Sequence, residues 1–335
     1  MLPISVRQIR GGRTIVRRLA ALAFAGGAAA LLTHDYSLGG FETEAMIRPM
    51  TPSRPWMLVD GKGWELRSAE SEAPTVTDAA EGTRGSCPAG MVEVKGAMKI
   101  DSARANVEWL QDSTCTRWIN HDFPERCAAF EREKWLTISR DLPTQSSHFC
   151  IDRFEHPNRK GAYPVIAVTW YEARSWCQSQ GERLCTEDEW TFACEGEEAT
   201  PYPTGYTRDE KACVIDRPWK LFEARRLALR ESTLAVAEID YVWQGEASGS
   251  RPECRSAFGV YDMTGNVDEW TSSVQREGYR SVFKGGYWGP VRARCRASTR
   301  AHNEDFYFYQ QGFRCCADAP RARDVASSDA GAEGR

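Results

Sequence analysis

The chain is 335 residues long, with 41% hydrophobic and 27% charged residues. That excludes a wholly disordered polypeptide and leaves apolar material for one large core or two small ones. A net charge of −4 excludes a broadly basic nucleic-acid binder, so no nucleic-acid partner is expected.

The charge is unevenly placed. Arg7, Arg10, Arg13, Arg17 and Arg18 precede a 14-residue apolar run at 19–32. A bilayer span needs about 20 apolar residues, so the run suits a signal-peptide core better than a full span. Residues 1–40 are therefore expected to be a signal peptide, with Ala28-Ala29-Ala30 as a candidate cleavage site, or an N-terminal membrane anchor. The Arg17-Arg18 pair is a weak twin-arginine signal. No Cys precedes Cys87, which excludes a lipid-modified cysteine at such a cleavage site. Any membrane contact is expected only through this segment. Residues 41–86, rich in Pro, Ser, Thr, Gly and Glu, read as a flexible linker.

The folded domain is expected over 87–318, followed by a disordered tail at 319–335. Thr169 with Glu172, and Thr186 with Glu189, have the spacing of capping boxes and predict two helices. Trp170, Ala173, Trp176 and Cys177 share one face of the first; Trp190, Ala193 and Cys194 share one of the second. A third helix is expected at 219–230, and short strands at 91–94, 165–168 and 281–284. The pattern is α+β with little regular structure.

The twelve cysteines are even in number and spread from Cys87 to Cys316, without paired C-x2-C units. They read as a disulfide framework, not zinc ligands, and place the chain in an oxidising compartment: periplasmic, cell-surface or secreted. Adjacent Cys315 and Cys316 would rarely bond each other, so each is expected to reach elsewhere.

Three phrases occur in one order: PVIAVTWYEARSWCQSQGERLCTEDEWTFAC at 164–194, FGVYDMTGNVDEWTSS at 258–273, and KGGYWGPVRARCRASTRAHNED with QGFRCCAD across 284–318. They resemble the sulfatase-modifying-factor, or formylglycine-generating-enzyme, family. The resemblance covers about 150–318 and, near 87–94, the strand CPAGMVEV; segment 99–149 reads as an insertion. It implies a C-type-lectin-like fold and the disulfides Cys177–Cys315 and Cys194–Cys295. Cys115–Cys127 suits a local pair and Cys213–Cys254 is a candidate, while Cys87, Cys150, Cys185 and Cys316 stay unassigned.

Enzymes of this family oxidise a substrate cysteine to formylglycine with O2 and copper(I), held by two thiolates that follow a Gly-Gly-Ser motif. Here Gly285-Gly286 is followed by Tyr287, the segment to Cys295 is shorter, and both thiolates are missing. Copper is therefore disfavoured; a catalytic Cys295 would need its partner Cys194 reduced. Iron lacks support too, since the five His form no helical His-x3-His pair. Asp152 and His156 would share a face only in a helix that Pro157 interrupts.

Calcium is the expected ion. The resemblance carries Asn266, Val267 (through its carbonyl) and Glu269 over as ligands, with Asp268 in place of the usual aromatic. The bland alternative is an Asx-turn with hydrogen-bonded carboxylates. Tyr287, Trp288, Arg292, Arg294 and Arg300 are candidates for a ligand cleft, with Arg292, Arg294 and Arg296 at strand-like alternation; structural ion pairs are the alternative. Residues 306–309 (FYFY) suit a ligand wall or, more simply, core. Two functions follow: a non-catalytic module or scaffold holding a peptide, protein or glycan, or an oxidoreductase of the formylglycine-generating type or a divergent metal-dependent relative.

Overall fold

The computed structural model describes residues 49–59, 63–67, 87–122, 125–275 and 277–319. The segment expected as signal or anchor (1–40), and the tail beyond Ala319, lie outside the described residues. The last described residue, Ala319, still packs against a core cluster.

Two four-stranded sheets carry the fold. The first has the order β3-β6-β12-β7, all antiparallel: β3 Met91–Lys99, β6 Thr144–Asp152, β12 Cys315–Asp318 and β7 Arg183–Leu184. The second has the order β10-β9-β8-β11, comprising β10 Ser298–Thr299, β9 Ser281–Lys284, β8 Asp268–Ser272 and β11 Gln311–Phe313. Within it β8 and β11 run parallel. Two hairpins stand apart: β1 Trp56–Val59 with β2 Gly63–Leu66, and β4 Cys115–Asn120 with β5 Arg126–Phe130.

Both capping boxes form. Thr169 opens α3 (Trp170–Ser179) and Thr186 opens α4 (Glu187–Glu195), each threonine hydroxyl accepting from the N3 amide while the N3 glutamate returns to the cap amide. Two short helices precede them, α1 Val107–Asp112 and α2 Arg132–Ile138. The helix expected at 219–230 shrinks to one 3-10 turn, Arg226–Ala228, and the true helix is α5, Thr233–Val242. Charged propensity favoured the former span. Ser232 caps the latter, accepting from the Ala235 amide, and Val236, Ile239 and Val242 bury one face. Tertiary packing decided the boundary.

Residues 165–168 are buried, as a strand would be, yet only Ile166 makes a bridge, to Trp64. Ala167 takes φ 57°, which breaks any strand. The partner is itself a correction, because part of the expected linker is a hairpin fixed to the body. Trp64 donates to the Arg230 carbonyl at 2.7 Å, Trp56 donates to Asp240 at 2.8 Å, and Arg54 pairs with Asp240. A Cβ at Gly63 would lie 2.1 Å from the Ile166 carbonyl oxygen, so the close approach needs glycine. Polar composition masked two tryptophan anchors, Trp64 buried and Trp56 partly so.

The expected insertion is also narrower than 99–149, since Lys99 pairs with Thr144 at the far end of the β3–β6 ladder. What leaves the sheet is 100–143, a small layer closed by Cys115–Cys127 and packed around Trp135.

All twelve cysteines form six disulfides, with no free thiol. Cys177–Cys315 and Cys194–Cys295 pair as the resemblance implies; Cys87–Cys150, Cys185–Cys316 and Cys213–Cys254 join Cys115–Cys127. Strand alternation points Cys315 and Cys316 to opposite faces of β12. Cys315 therefore reaches α3 in one core cluster and Cys316 reaches Cys185 in another. These two staples span 138 and 131 residues, worth about 5 kcal/mol each in the chain-entropy account.

Candidate functional site

The 265–270 turn places its residues by simple geometry. Gly265 has φ 85°, and a Cβ there would meet the Val214 carbonyl oxygen at 2.3 Å, so the chain turns tightly. Asn266 follows at φ 55°, and β8 begins at Asp268. From there side chains alternate: Asp268 faces out of the sheet and Glu269 faces the core.

Glu269 is 1% exposed, and Arg314 behind it is 0% exposed. The guanidinium donates to both Glu269 oxygens at 2.6 Å, and Trp190 Nε1 donates to one of them at 2.7 Å. Asn266 gives its Nδ2 to Glu155 at 2.7 Å and accepts the Glu246 amide at 2.9 Å. The Val267 amide also donates to Glu155. With both carboxylate oxygens on a guanidinium, Glu269 as placed does not fit a calcium ligand. The turn is held by buried ion pairing instead.

This interior is rich in acid. Asp152, Glu155, Asp262 and Glu269 are all buried, with Arg314 among them. Burial pushes Glu155 well above the usual carboxylate range, Asp152 up to about 8 and Asp262 up to about 7. Asp152 does not share a metal face with His156: it accepts from the Cys315 amide and from Asn158, whereas the imidazole stacks on Phe313. Asp152, Glu182 and Cys315 come within 4.8 Å of one another, but the Cys315 sulfur is committed to Cys177.

On the other face of the second sheet lies a cleft of about 560 Å3, within the range of small-ligand sites. Its sheet wall is Asp268, Phe283, Thr299 and Gln311, four residues that the strand registers bring onto one face. Gln310 extends this wall, and Tyr287, Phe306 and Phe308 face the same space. Asp268 is half-buried and pairs in register with Gln311 across β8 and β11. Burial pushes its carboxyl up to about 7, against the Gly286 N–H that it accepts. Gln311 is 2% exposed, and the buried side-chain Oε1 atoms of Gln310 and Gln311 find no protein partner among the described residues.

The residues expected in a ligand cleft divide. Tyr287 and Arg292 line this one; Trp288, 2% exposed, is core beside Trp243; Arg300 lines a neighbouring charged depression of about 390 Å3. The expected strand through the arginines does not exist, because only Ser298–Thr299 is extended. Each arginine has a carboxylate instead. Arg292 and Arg294 bond Glu108, Arg294 also bonds Asp112, Arg296 forks onto Glu195 at 2.6 and 2.8 Å, and Arg300 meets Glu187. Two of those carboxylates ride on α1, in the layer read as an insertion. Of residues 306–309, Phe306 and Phe308 become cleft wall while Tyr309 is core.

Gln310 and Gln311 are not among the site residues expected from the sequence. Their signal lay in β11 pairing, which no local pattern shows.

Gly286, Tyr287, Pro290, Val291 and Arg292 line the cleft, and the segment from Gly286 to Arg292 carries no sulfur. Among curated proteins, the chain is 30% identical over 169 residues to the inactive C-alpha-formylglycine-generating enzyme 2 of Bos taurus, covering 48% of this chain and 52% of that one. It is 28% identical over 176 residues to the formylglycine-generating enzyme of Mus musculus, covering 47% and 44%. The chain thus spans about half the length of the curated relatives it matches. Among solved structures, CarF matches at 13% identity and a TM-score of 0.43, over 70% of this chain and 99% of that one. The sulfatase-modifying factor enzyme 1-like domain matches residues 101–319, well over half of the protein. The chain belongs to that family.

Proposed function

We propose that the protein is an exported, non-catalytic module of this family that holds a peptide or glycan in the cleft beside β8. One observation carries the reading: every cysteine is in a disulfide while the cleft stands open. Two-thiolate copper(I) chemistry has no ligands, but the space around it persists. Six disulfides support an oxidising compartment, and the basic-then-apolar stretch at 1–40 supports delivery there as signal peptide or anchor. No helix among the described residues is long and apolar enough to cross a membrane.

The test has two arms on the purified full chain. Thiol titration with an oxygen-electrode assay on a cysteine-containing peptide, with and without copper, should give no free thiol and no O2 uptake. Peptide and glycan arrays should give retained ligands that compete for one site. Turnover of the cysteine peptide would overturn the reading in favour of an oxidoreductase, and arrays without any ligand would overturn the binding role.

A further inference from the structure

The cleft beside β8 has a charge preference of its own, and the argument for it rests on the binding-module reading. At its floor Asp268 makes no ion pair among the described residues, and the Gly286 N–H favours its ionised form. Directly across the parallel strands sits Gln311, 2% exposed, with its side-chain Oε1 buried and unpaired, and the Oε1 of Gln310 beside it repeats the deficit.

Leaving a buried acceptor unsatisfied costs about 1–3 kcal/mol, and native proteins rarely do so. Two at one wall, next to an unpaired carboxylate, form an acceptor set that lacks its donors. The terminal torsion of a glutamine is broad, so either amide can turn its oxygen into the cleft. The remaining walls agree in sign. Tyr287, Phe283 and Phe308 present aromatic rings, whose faces attract cations. Arg292 at the rim is already bonded to Glu108, and burial pulls the His302 imidazole below its ordinary value, which keeps it neutral. An anion entering here would oppose the ionisation of Asp268, whereas a cation would favour it against the burial that raises its carboxyl.

We propose that this cleft binds an organic cation, a primary ammonium or guanidinium group. Asp268 is its counter-ion, Gln310 and Gln311 its hydrogen-bond acceptors, and the aromatic rings its walls. Two of the features that make it so, Asp268 and Tyr287, stand where the family resemblance leads one to expect an aromatic and a serine. The chain's departures from the family pattern thus converge on one cavity. A basic side chain of a peptide and a free amine share the required chemistry, and about 560 Å3 holds either.

The experiment is calorimetric titration of the full chain with N-acetyl-lysine methylamide, N-acetyl-arginine methylamide, spermidine and the neutral isostere N-acetyl-norleucine methylamide. The cations should bind at least tenfold more tightly than the norleucine derivative. Asp268→Asn should remove that preference, and Gln311→Met, which keeps volume, should weaken cation binding several-fold. Preference for the amino-acid amides over spermidine identifies a peptide side chain; the reverse identifies a free amine. Equal binding of norleucine, or unchanged cation affinity in folded Asp268→Asn, overturns the proposal; should that variant not fold, unchanged affinity in Gln311→Met does so. If the arrays yield a neutral ligand that occupies the cleft, the cation inference fails while the module reading survives. If nothing binds in either experiment, both fall.

Discussion

Replacing Arg314 with methionine keeps most of the side-chain volume but removes the cation behind β8. The guanidinium is fully buried, forks onto Glu269 at 2.6 Å on both arms, and also donates to the carbonyls of Asp152 and Tyr261. Breaking a buried pair on one side costs about 3–5 kcal/mol, because the surviving charge is stranded. Set against a typical total of about 5–15 kcal/mol, that is a large share. The double variant Arg314→Met/Glu269→Gln strands nothing and should recover most of the loss, since buried pairs exchanged whole for neutral groups are often close to neutral. Urea denaturation with disulfides intact measures all three proteins. A deficit under about 1 kcal/mol, or a double variant as weak as the single, would refute the assignment of Arg314 as the fold's central counter-charge.

Three further outcomes follow from the same interior. Asp152, Asp262 and Glu155 hold protons in the folded state that the unfolded chain releases near pH 4, so stability should fall as pH rises from about 5 to 8. A rise over that window in thermal or urea unfolding would contradict the uncompensated burial of these acids. Because Glu269 is committed to Arg314, EGTA should leave the melting temperature unchanged; a drop of several degrees reversed by Ca2+ would establish a calcium ligand set at the 265–270 turn. Trp64→Ala should cost about 3–5 kcal/mol and open the β1–β2 hairpin to trypsin at Arg54 and Arg67, an outcome ruled out if digestion kinetics match the parent.

Local chemistry was legible wherever one turn of chain contains the whole argument. The Thr169 and Thr186 boxes need only four residues each, and both form. The oxidising framework and the missing thiolates could also be read directly from the order of cysteines and glycines. Features that depend on a distant partner were not legible. Alternation along β8 says that Asp268 and Glu269 face opposite ways, but only Arg314, 45 residues on, decides which one faces inward. Arg292 and Arg294 looked available until α1 supplied Glu108 and Asp112 from more than 180 residues away. The β1–β2 hairpin was hidden by polar neighbours, because Trp56 and Trp64 have no periodic apolar face and dock singly onto α5 and the 165–168 segment.

The adjacent cysteines of β12 also set a clock on biosynthesis. A ribosome adds about 5–20 residues per second, so Cys177 is made roughly 7–30 s before Cys315, its partner 138 residues later. Throughout that interval Cys177 and Cys185 are open thiols on a growing chain, exposed to mispairing with Cys150, Cys194 or each other. Cys87–Cys150 and Cys194–Cys295 can staple the two clusters earlier, but neither Cys177 nor Cys185 meets its partner until one dipeptide arrives. Both of the longest staples thus wait on one late step of synthesis.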